Sequence, residues 1–183
     1  MDDKQLKKRL KSVISTSLYF LAVILMTFLI IKYVGQRTEV IGRSMEPTLS
    51  DGDNLIVDKL TFRLRNPKRG EIIVFPYRDR SGVYYIKRVI GLPGETIYIN
   101  EKGNVYIDGV LLKEDYIKDI TTDPGIAGEP FALKEGEYFV MGDNRNNSTD
   151  SRSPSIGVVR KEEMVGRAFM RIWPITDIKI LKH

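Results

Sequence analysis

Hydrophobic residues follow two different patterns along this chain of 183 residues. From Ser12 to Ile31 no residue is charged, and apolar side chains cover all sides of a helical projection. A helix of these 20 residues is about 30 Å long, roughly the thickness of the hydrocarbon core of a bilayer. Lys32 and Tyr33 follow as an interfacial flank. The pattern predicts a basic tail (1–11), one transmembrane anchor (12–32) and an external unit (33–183).

Beyond the anchor, short apolar runs alternate with turn residues, which is typical of strands. A short helix is predicted at 161–164, and residues 118–135 have the polar character of a long surface excursion. We therefore expect a mainly β unit of coiled antiparallel sheets. The predicted strands are 54–62, 71–75, 83–90, 96–100, 103–108, 110–112, 138–141 and 168–173.

The apolar segment is interpreted as a permanent anchor. It is longer than the apolar core of a cleavable leader, about 7–15 residues, and no A-x-A sequence follows it. Five basic residues precede Ser12, so the N-terminus is expected in the cytosol and the rest outside, as a single-pass cell-membrane protein. Residues 1–32 carry +4 of the net charge of +5. The high pI is therefore no indication of nucleic-acid binding.

The amino-acid composition excludes several kinds of catalytic and metal-binding chemistry. The chain has no cysteine, which excludes thiol catalysis, disulfides and cysteine-ligated metal. Its one histidine is the last residue, His183, so the commonest base for a serine nucleophile is missing unless the C-terminus supplies it. Serine chemistry would then need another base, and a lysine kept neutral by burial is the known alternative. No cofactor is expected.

Two residues could supply that chemistry. Ser44 follows Gly42 and precedes Pro47, which places it in bent, irregular backbone. Taken alone, this stretch favours a turn serine that caps its own backbone. In the predicted strand 83–90, Lys87 lies among apolar neighbours. It can act as a base if it is desolvated, or it can extend its amine to water from the sheet edge. Arg88, on the opposite face, cannot deprotonate.

A polar loop over residues 142–152 is the third feature. It could simply connect strands. A calcium loop is disfavoured, because Arg145 falls at a ligand position and Ser148 where a glycine is required. We expect no metal there. A loop rich in hydroxyls and carboxylates can instead orient a neutral amine.

Four motifs in order, after the anchor, carry a family resemblance: residues 44–48 (SMEPT), 69–75 (RGEIIVF), 85–95 (YIKRVIGLPGE) and 142–152 (GDNRNNSTDSR). They resemble the sequence boxes of bacterial type I signal peptidases of the single-anchor Gram-positive type. The resemblance implies a signal-peptidase/LexA-like catalytic domain. It also implies a membrane-bound serine endopeptidase that removes A-x-A type signal peptides from exported preproteins, close to membrane lipid and the Sec translocon.

The resemblance assigns roles position by position. It makes Ser44 the nucleophile, Lys87 the general base and Ser148 the hydroxyl that orients the lysine. It also makes Asp150 and Arg152 a supporting charged pair, Met45 a residue near the site and Asp143 a structural carboxylate. Where many Gram-negative members have an oxyanion-hole hydroxyl, this chain has Gly42, so backbone or water donors must replace it. No effect is predicted for Arg43.

Two rival classes remain at this point. A LexA-type self-cleaving serine–lysine protein would need a helix-turn-helix and an internal cleavage site, and here the N-terminus is an anchor instead. A non-enzymatic, membrane-tethered β-module would have an unreactive Ser44 and an ordinary, charged Lys87.

Overall fold

The computed structural model describes residues 3–77 and 82–181. It begins with a helix, α1 (Asp3–Leu29), which continues into a π-helical turn (Ile30–Val34). Within it, Lys7–Val34 is long and apolar enough to cross a membrane, and none of its most apolar window is buried in the protein. A helix with apolar residues on all sides and no protein cover is the form expected of an anchor.

A sheet of eight strands forms the larger part of the remaining chain. Its strands pair in the order β1-β2-β11-β3-β4-β9-β10, with β12 pairing to β11, and all of these pairs are antiparallel. The strands are β1 (Gly35–Glu39), β2 (Asn54–Asp58), β3 (Ile72–Pro76), β4 (Tyr84–Gly91), β9 (Glu137–Met141), β10 (Val159–Arg160), β11 (Gly166–Trp173) and β12 (Lys179–Ile180).

A second, four-stranded antiparallel sheet has the order β7-β6-β5-β8. Short turns at residues 100–104 and 108–109 join its first three strands in chain order, β5, β6 and β7. Its strands are β5 (Thr96–Ile99), β6 (Val105–Ile107), β7 (Val110–Leu111) and β8 (Phe131–Ala132). The short helical segments of the domain are α2 (Thr61–Leu64) and 3-10 turns at Gly125–Gly128, Arg145–Asn147, Lys161–Glu163 and Ile175–Asp177.

Strand β4 contributes a side chain to each buried apolar cluster of the core. Three buried apolar clusters exist among the described residues, and β4 contributes Ile86 to the first, Val89 to the second and Ile90 to the third. Because side chains of a strand alternate between faces, the two residues between them, Lys87 and Arg88, are carried into the interior on opposite faces. Both are only 2% exposed.

The mainly β, antiparallel expectation is confirmed, with local differences. The strand predicted over 54–62 ends at Asp58, because the Asp58 carboxylate accepts the N–H groups of Leu60 and Thr61 and turns the chain into α2. The predicted helix at 161–164 is a 3-10 turn. The excursion over 118–135 contains β8, and the polar β1 was missed.

Candidate active site

Ser44 lies on the connection between β1 and β2. Gly42 adopts φ +92°, a conformation that suits glycine, and its N–H donates to the Asp51 carboxylate at 2.6 Å. A hydrogen-bonded turn follows the serine, closed by the Leu49 N–H donating to the Met45 carbonyl. Met45 is 1% exposed and Leu49 is fully buried. The serine is therefore held by a turn whose apolar side chains are anchored in the core.

The structure brings Lys87 and Ser44 together from positions 43 residues apart. The Lys87 amine lies 2.7 Å from the Ser44 hydroxyl oxygen and donates to the Ile86 carbonyl at 3.1 Å. The Tyr85 ring centroid lies 5.1 Å from the amine. The hydroxyl and amine are thus within the distance required for direct proton transfer.

Burial lowers the pKa of Lys87 to about 8. The nearby carboxylates of Asp150 and Asp143 oppose this shift, and the Arg152 guanidinium adds to it. Lys87 forms no salt bridge within the part of the chain that the structure describes. A substantial fraction of the amine is therefore neutral at mildly alkaline pH, which is what a general base requires.

Arg88 is the structural counterpart on the opposite face. It donates two hydrogen bonds to the Asp143 carboxylate, at 2.8 and 2.6 Å, and one to the Gly70 carbonyl at 2.7 Å. The Thr48 hydroxyl also donates to Asp143. Asp143 therefore ties β4 to the turn that follows Ser44.

The polar loop over residues 142–152 packs directly against the serine. The Ser44 carbonyl accepts the Asn144 N–H at 3.1 Å, and the Arg43 carbonyl accepts the Asn144 side-chain amide at 3.0 Å. A Cβ on Gly142 would overlap the Ser44 carbonyl and the Ser148 hydroxyl. This close approach explains why the loop begins with glycine.

Asp150 and Arg152 close the loop on itself. The Arg152 guanidinium donates to both oxygens of Asp150, at 2.8 and 2.9 Å, and to the Arg145 carbonyl at 2.6 Å. The second Asp150 oxygen also accepts the Gly142 N–H at 3.0 Å. The pair therefore holds the loop's backbone in the conformation that contacts Ser44.

Ser148 and Arg43 are placed differently from these residues. The Ser148 hydroxyl oxygen is buried beside Gly142 and has no hydrogen-bond partner in the structure, so its contact with Lys87 stays a prediction. The Arg43 side chain is 71% exposed and lies 3.8 Å from the Glu46 carboxylate, which also accepts from Lys118 at 2.9 Å. His183, weighed as an alternative base, lies outside the described residues.

Sequence reasoning missed the support beneath the loop. The buried Arg145 donates to both carboxylate oxygens of Glu114 and, at 3.1 Å, to the Gly142 carbonyl. The Tyr116 hydroxyl donates to Glu114 at 2.8 Å, and its ring centroid lies 4.0 Å from the Arg88 guanidinium. Glu114 and Tyr116 are two residues apart, which suits one face of an extended segment. No sequence pattern, however, predicts that they lie close to Arg145.

A cleft of about 720 Å³ opens at Ser44 and Lys87. The end of β1 and the start of β4 form two of its walls, and Asn147 and Thr149 lie on a third. Exposed apolar side chains stand along it, with Ile41 89%, Tyr84 50% and Val83 41% exposed. Among the described residues no group of His, Cys, Asp and Glu could hold a metal ion. The arrangement suits an extended, partly apolar peptide.

A serine hydroxyl in contact with a buried lysine amine, in a peptide-sized cleft of a mainly β domain, is an arrangement that suits a serine hydrolase. Comparison with known proteins identifies the family. Residues 12–173 match the model of a family described as signal peptidase, peptidase S26. The chain belongs to this family, and is a membrane-anchored serine endopeptidase that removes signal peptides from secretory preproteins.

Individual relatives agree with this membership. Probable signal peptidase I-2 of Synechocystis is 41% identical over 154 residues, covering 81% of this chain and 68% of the relative. Signal peptidase I P of Bacillus subtilis subsp. natto is 32% identical over 189 residues, covering the full length of both chains. A crystal structure of a signal peptidase I from Enterococcus faecalis is 34% identical, covering 56% of this chain and 97% of that one, with a TM-score of 0.44.

Proposed function

We propose that Ser44 and Lys87 form the catalytic dyad of this peptidase. The observation that supports this most directly is the 2.7 Å contact between a serine hydroxyl and an amine that is 2% exposed and has its pKa lowered to about 8. Neutral Lys87 takes the Ser44 proton as the oxygen attacks the scissile carbonyl. The lysine then protonates the leaving amine, and finally activates the water that hydrolyses the acyl-enzyme. Activity rises with pH through about 8.

The oxyanion hole of this site uses the Ser44 amide with other backbone or water donors. Gly42 offers no side chain, and its own N–H is already hydrogen-bonded to Asp51. Ser148 completes the site when its unpartnered hydroxyl turns towards the lysine amine in the substrate complex. Asp150, Arg152, Asp143 and Met45 position this machinery through the contacts described above.

The substrate is the region of a preprotein that follows its apolar segment, bound in extended form between the end of β1 and the start of β4. The apolar side chains Ile41, Val83 and Tyr84 suit shallow subsites for the small residues of an A-x-A sequence. Because Ser44 lies 12 residues beyond Lys32, at most about 40 Å, the dyad works close to the outer membrane surface and near the Sec translocon.

The chain is divided into a cytosolic tail (1–11), a single anchor (12–32) and an extracytoplasmic peptidase domain (33–183). The basic residues before the anchor support this orientation. Protease added to intact spheroplasts is expected to degrade the chain beyond Lys32. Full protection of residues 33–183, with digestion only after lysis, reverses the orientation.

The assignment of Ser44 is tested with purified full-length protein, in detergent or lipid, and a synthetic preprotein that contains an A-x-A site. Wild type is expected to cut after that site, with no loss of activity in EDTA. Ser44→Ala is expected to lose about 10⁴-fold or more in rate while it still folds and inserts. Cleavage of the same bond by Ser44→Ala at a comparable rate removes Ser44 from the mechanism.

A further inference from the structure

A second cleft, of about 710 Å³, lies where the anchor meets the β domain, and we refer to it as the junction cleft. Its walls come from the end of the π-helical turn, from α2 and from the 3-10 turn at Lys161–Glu163. Four of the residues that line it are cations: Lys32, Lys59, Arg63 and Lys161. Two are carboxylates, Glu162 and Glu163, so the lining carries a net charge of +2.

The four cations are held in place by neutral groups. Lys59 lies 3.4 and 3.5 Å from the carbonyl oxygens of Ile31 and Lys32. The Arg63 guanidinium stands 5.5 Å from the centroid of the Tyr33 ring, and the Lys32 amine 5.2 Å from the same centroid. The Lys161 amine donates to the Asn66 side chain at 2.8 Å.

None of these four cations forms a salt bridge within residues 3–77 and 82–181. Glu163 accepts the backbone N–H of Arg160 at 2.8 Å, which closes the local turn. The cleft therefore holds four cations without an ion-pair partner among the described residues, and its lining keeps a net charge of +2.

Part of the lining of the junction cleft is apolar. Phe62 is 6% exposed and Met164 9% exposed, and both line the cleft. The rim lies at the end of the apolar segment Lys7–Val34, with Tyr33 and Lys32 in the positions of an interfacial flank. Apolar side chains beside cations, at the end of a segment that could span a membrane, match an anionic amphiphile rather than a small soluble anion.

We propose that the junction cleft binds the phosphate headgroup of an anionic phospholipid of the outer leaflet, with the glycerol and upper acyl chain against Phe62 and Met164. This inference rests on the proposed insertion of α1 in the bilayer. Lys59 and Arg63 contact both the lipid and the end of the anchor. The bound lipid thus fixes the orientation of the β domain, and with it the Ser44 cleft, relative to the membrane.

The test uses the full-length protein reconstituted in phosphatidylcholine vesicles with spin-labelled phosphatidylglycerol or spin-labelled phosphatidylcholine. Electron paramagnetic resonance measures the relative association of each label with the protein. Wild type is expected to prefer phosphatidylglycerol. The triple variant Lys59→Gln/Arg63→Gln/Lys161→Gln is expected to reduce that preference by about 100-fold, since each cation near an anionic headgroup contributes roughly fivefold.

The matched control removes three exposed cations elsewhere, as Lys102→Gln/Lys113→Gln/Lys134→Gln, and is expected to keep the preference of wild type. An equal loss in both variants shows general charge attraction and overturns the proposal, as does an unchanged triple variant. Displacement of the label by millimolar inorganic phosphate, but not by chloride of equal ionic strength, makes the cleft a free-phosphate site instead.

Cleavage of a soluble A-x-A peptide in detergent separates this inference from the proposed peptidase function. The triple variant is expected to retain the turnover of wild type, because none of its three residues lies at the Ser44 cleft. A wild-type protein without cleavage activity counts against the dyad and leaves the lipid measurement valid.

Discussion

Lys87 and Arg88 are adjacent in β4, equally buried, and opposite in their chemistry. Each is 2% exposed, but Arg88 is neutralised by Asp143 at 2.6 Å, whereas the hydrogen-bond partners of Lys87 among the described residues are a hydroxyl and a carbonyl. Burial without a counter-charge favours the neutral amine, and burial with one preserves the cation. The same strand therefore supplies the proposed base on one face and a structural ion pair on the other.

Replacing each cation by the other is expected to give the largest difference in activity between the two faces of β4. Lys87→Arg is expected to lower kcat/KM by about 10²–10⁴-fold, because arginine stays charged and cannot accept the Ser44 proton. Arg88→Lys keeps a positive charge beside Asp143 and is expected to retain most of the activity. The check is cleavage of a fluorogenic A-x-A peptide by both variants, with folding verified by circular dichroism.

Substantial turnover by Lys87→Arg makes Lys87 an electrostatic helper and moves the base elsewhere. A loss in Arg88→Lys as large as that in Lys87→Arg indicates instead that the site fails whenever either face of β4 is disturbed.

Removing the counter-charge on the structural face is expected to cost folding stability. Asp143→Asn leaves Arg88 buried without an anion and should lower the free energy of unfolding by about 3 kcal/mol in urea denaturation. The control is the exposed pair of Lys118 and Glu46, where Lys118→Gln should change stability by less than about 1 kcal/mol. Similar values for the two variants contradict the distinction between a buried pair and a surface pair.

Removing the charge of Lys87 is expected to change the free energy of unfolding in the opposite direction, towards higher stability. Because the folded pKa of Lys87 is near 8 and the unfolded value near 10.5, the folded state binds fewer protons between these values. Its burial therefore opposes folding increasingly as pH falls from about 10.5 to 8, and by a constant amount below 8, about 3 kcal/mol.

Lys87→Met removes this penalty and also the hydrogen bond to the Ile86 carbonyl, worth about 1 kcal/mol. We expect the inactive variant to be about 2 kcal/mol more stable than wild type at pH 7, with the advantage shrinking as pH approaches 10. Urea denaturation at both pH values measures it. A variant less stable than wild type at pH 7 indicates that Lys87 is buried as a cation.

The sequence predicted the elements of this site better than their arrangement. The apolar segment and the alternation in 83–90 predicted the helix and strand β4, since both depend on local periodicity. The approach of Ser44 and Lys87 came from the family resemblance, because no local rule relates residues 43 positions apart.

The contacts that were missed are all non-local or polar. Glu114 meets Arg145 across 31 positions, and only the fold brings them together. Strand β1 reads GQRTE, with no apolar alternation, and is a strand only because it pairs with β2 in register. The end of β2 was misplaced because side-chain capture of backbone N–H groups by Asp58 overrides the apolar pattern that continues to Phe62.

Catalysis by Lys87 requires that a substantial fraction of its amine is neutral at mildly alkaline pH. The most direct measurement is an NMR titration of its side-chain methylene next to the amine, in ¹³C-lysine-labelled protein, with the resonance assigned through Lys87→Met. We expect a pKa of about 8 for Lys87, well below the usual value for a lysine. A Lys87 pKa of about 10 or higher would contradict it.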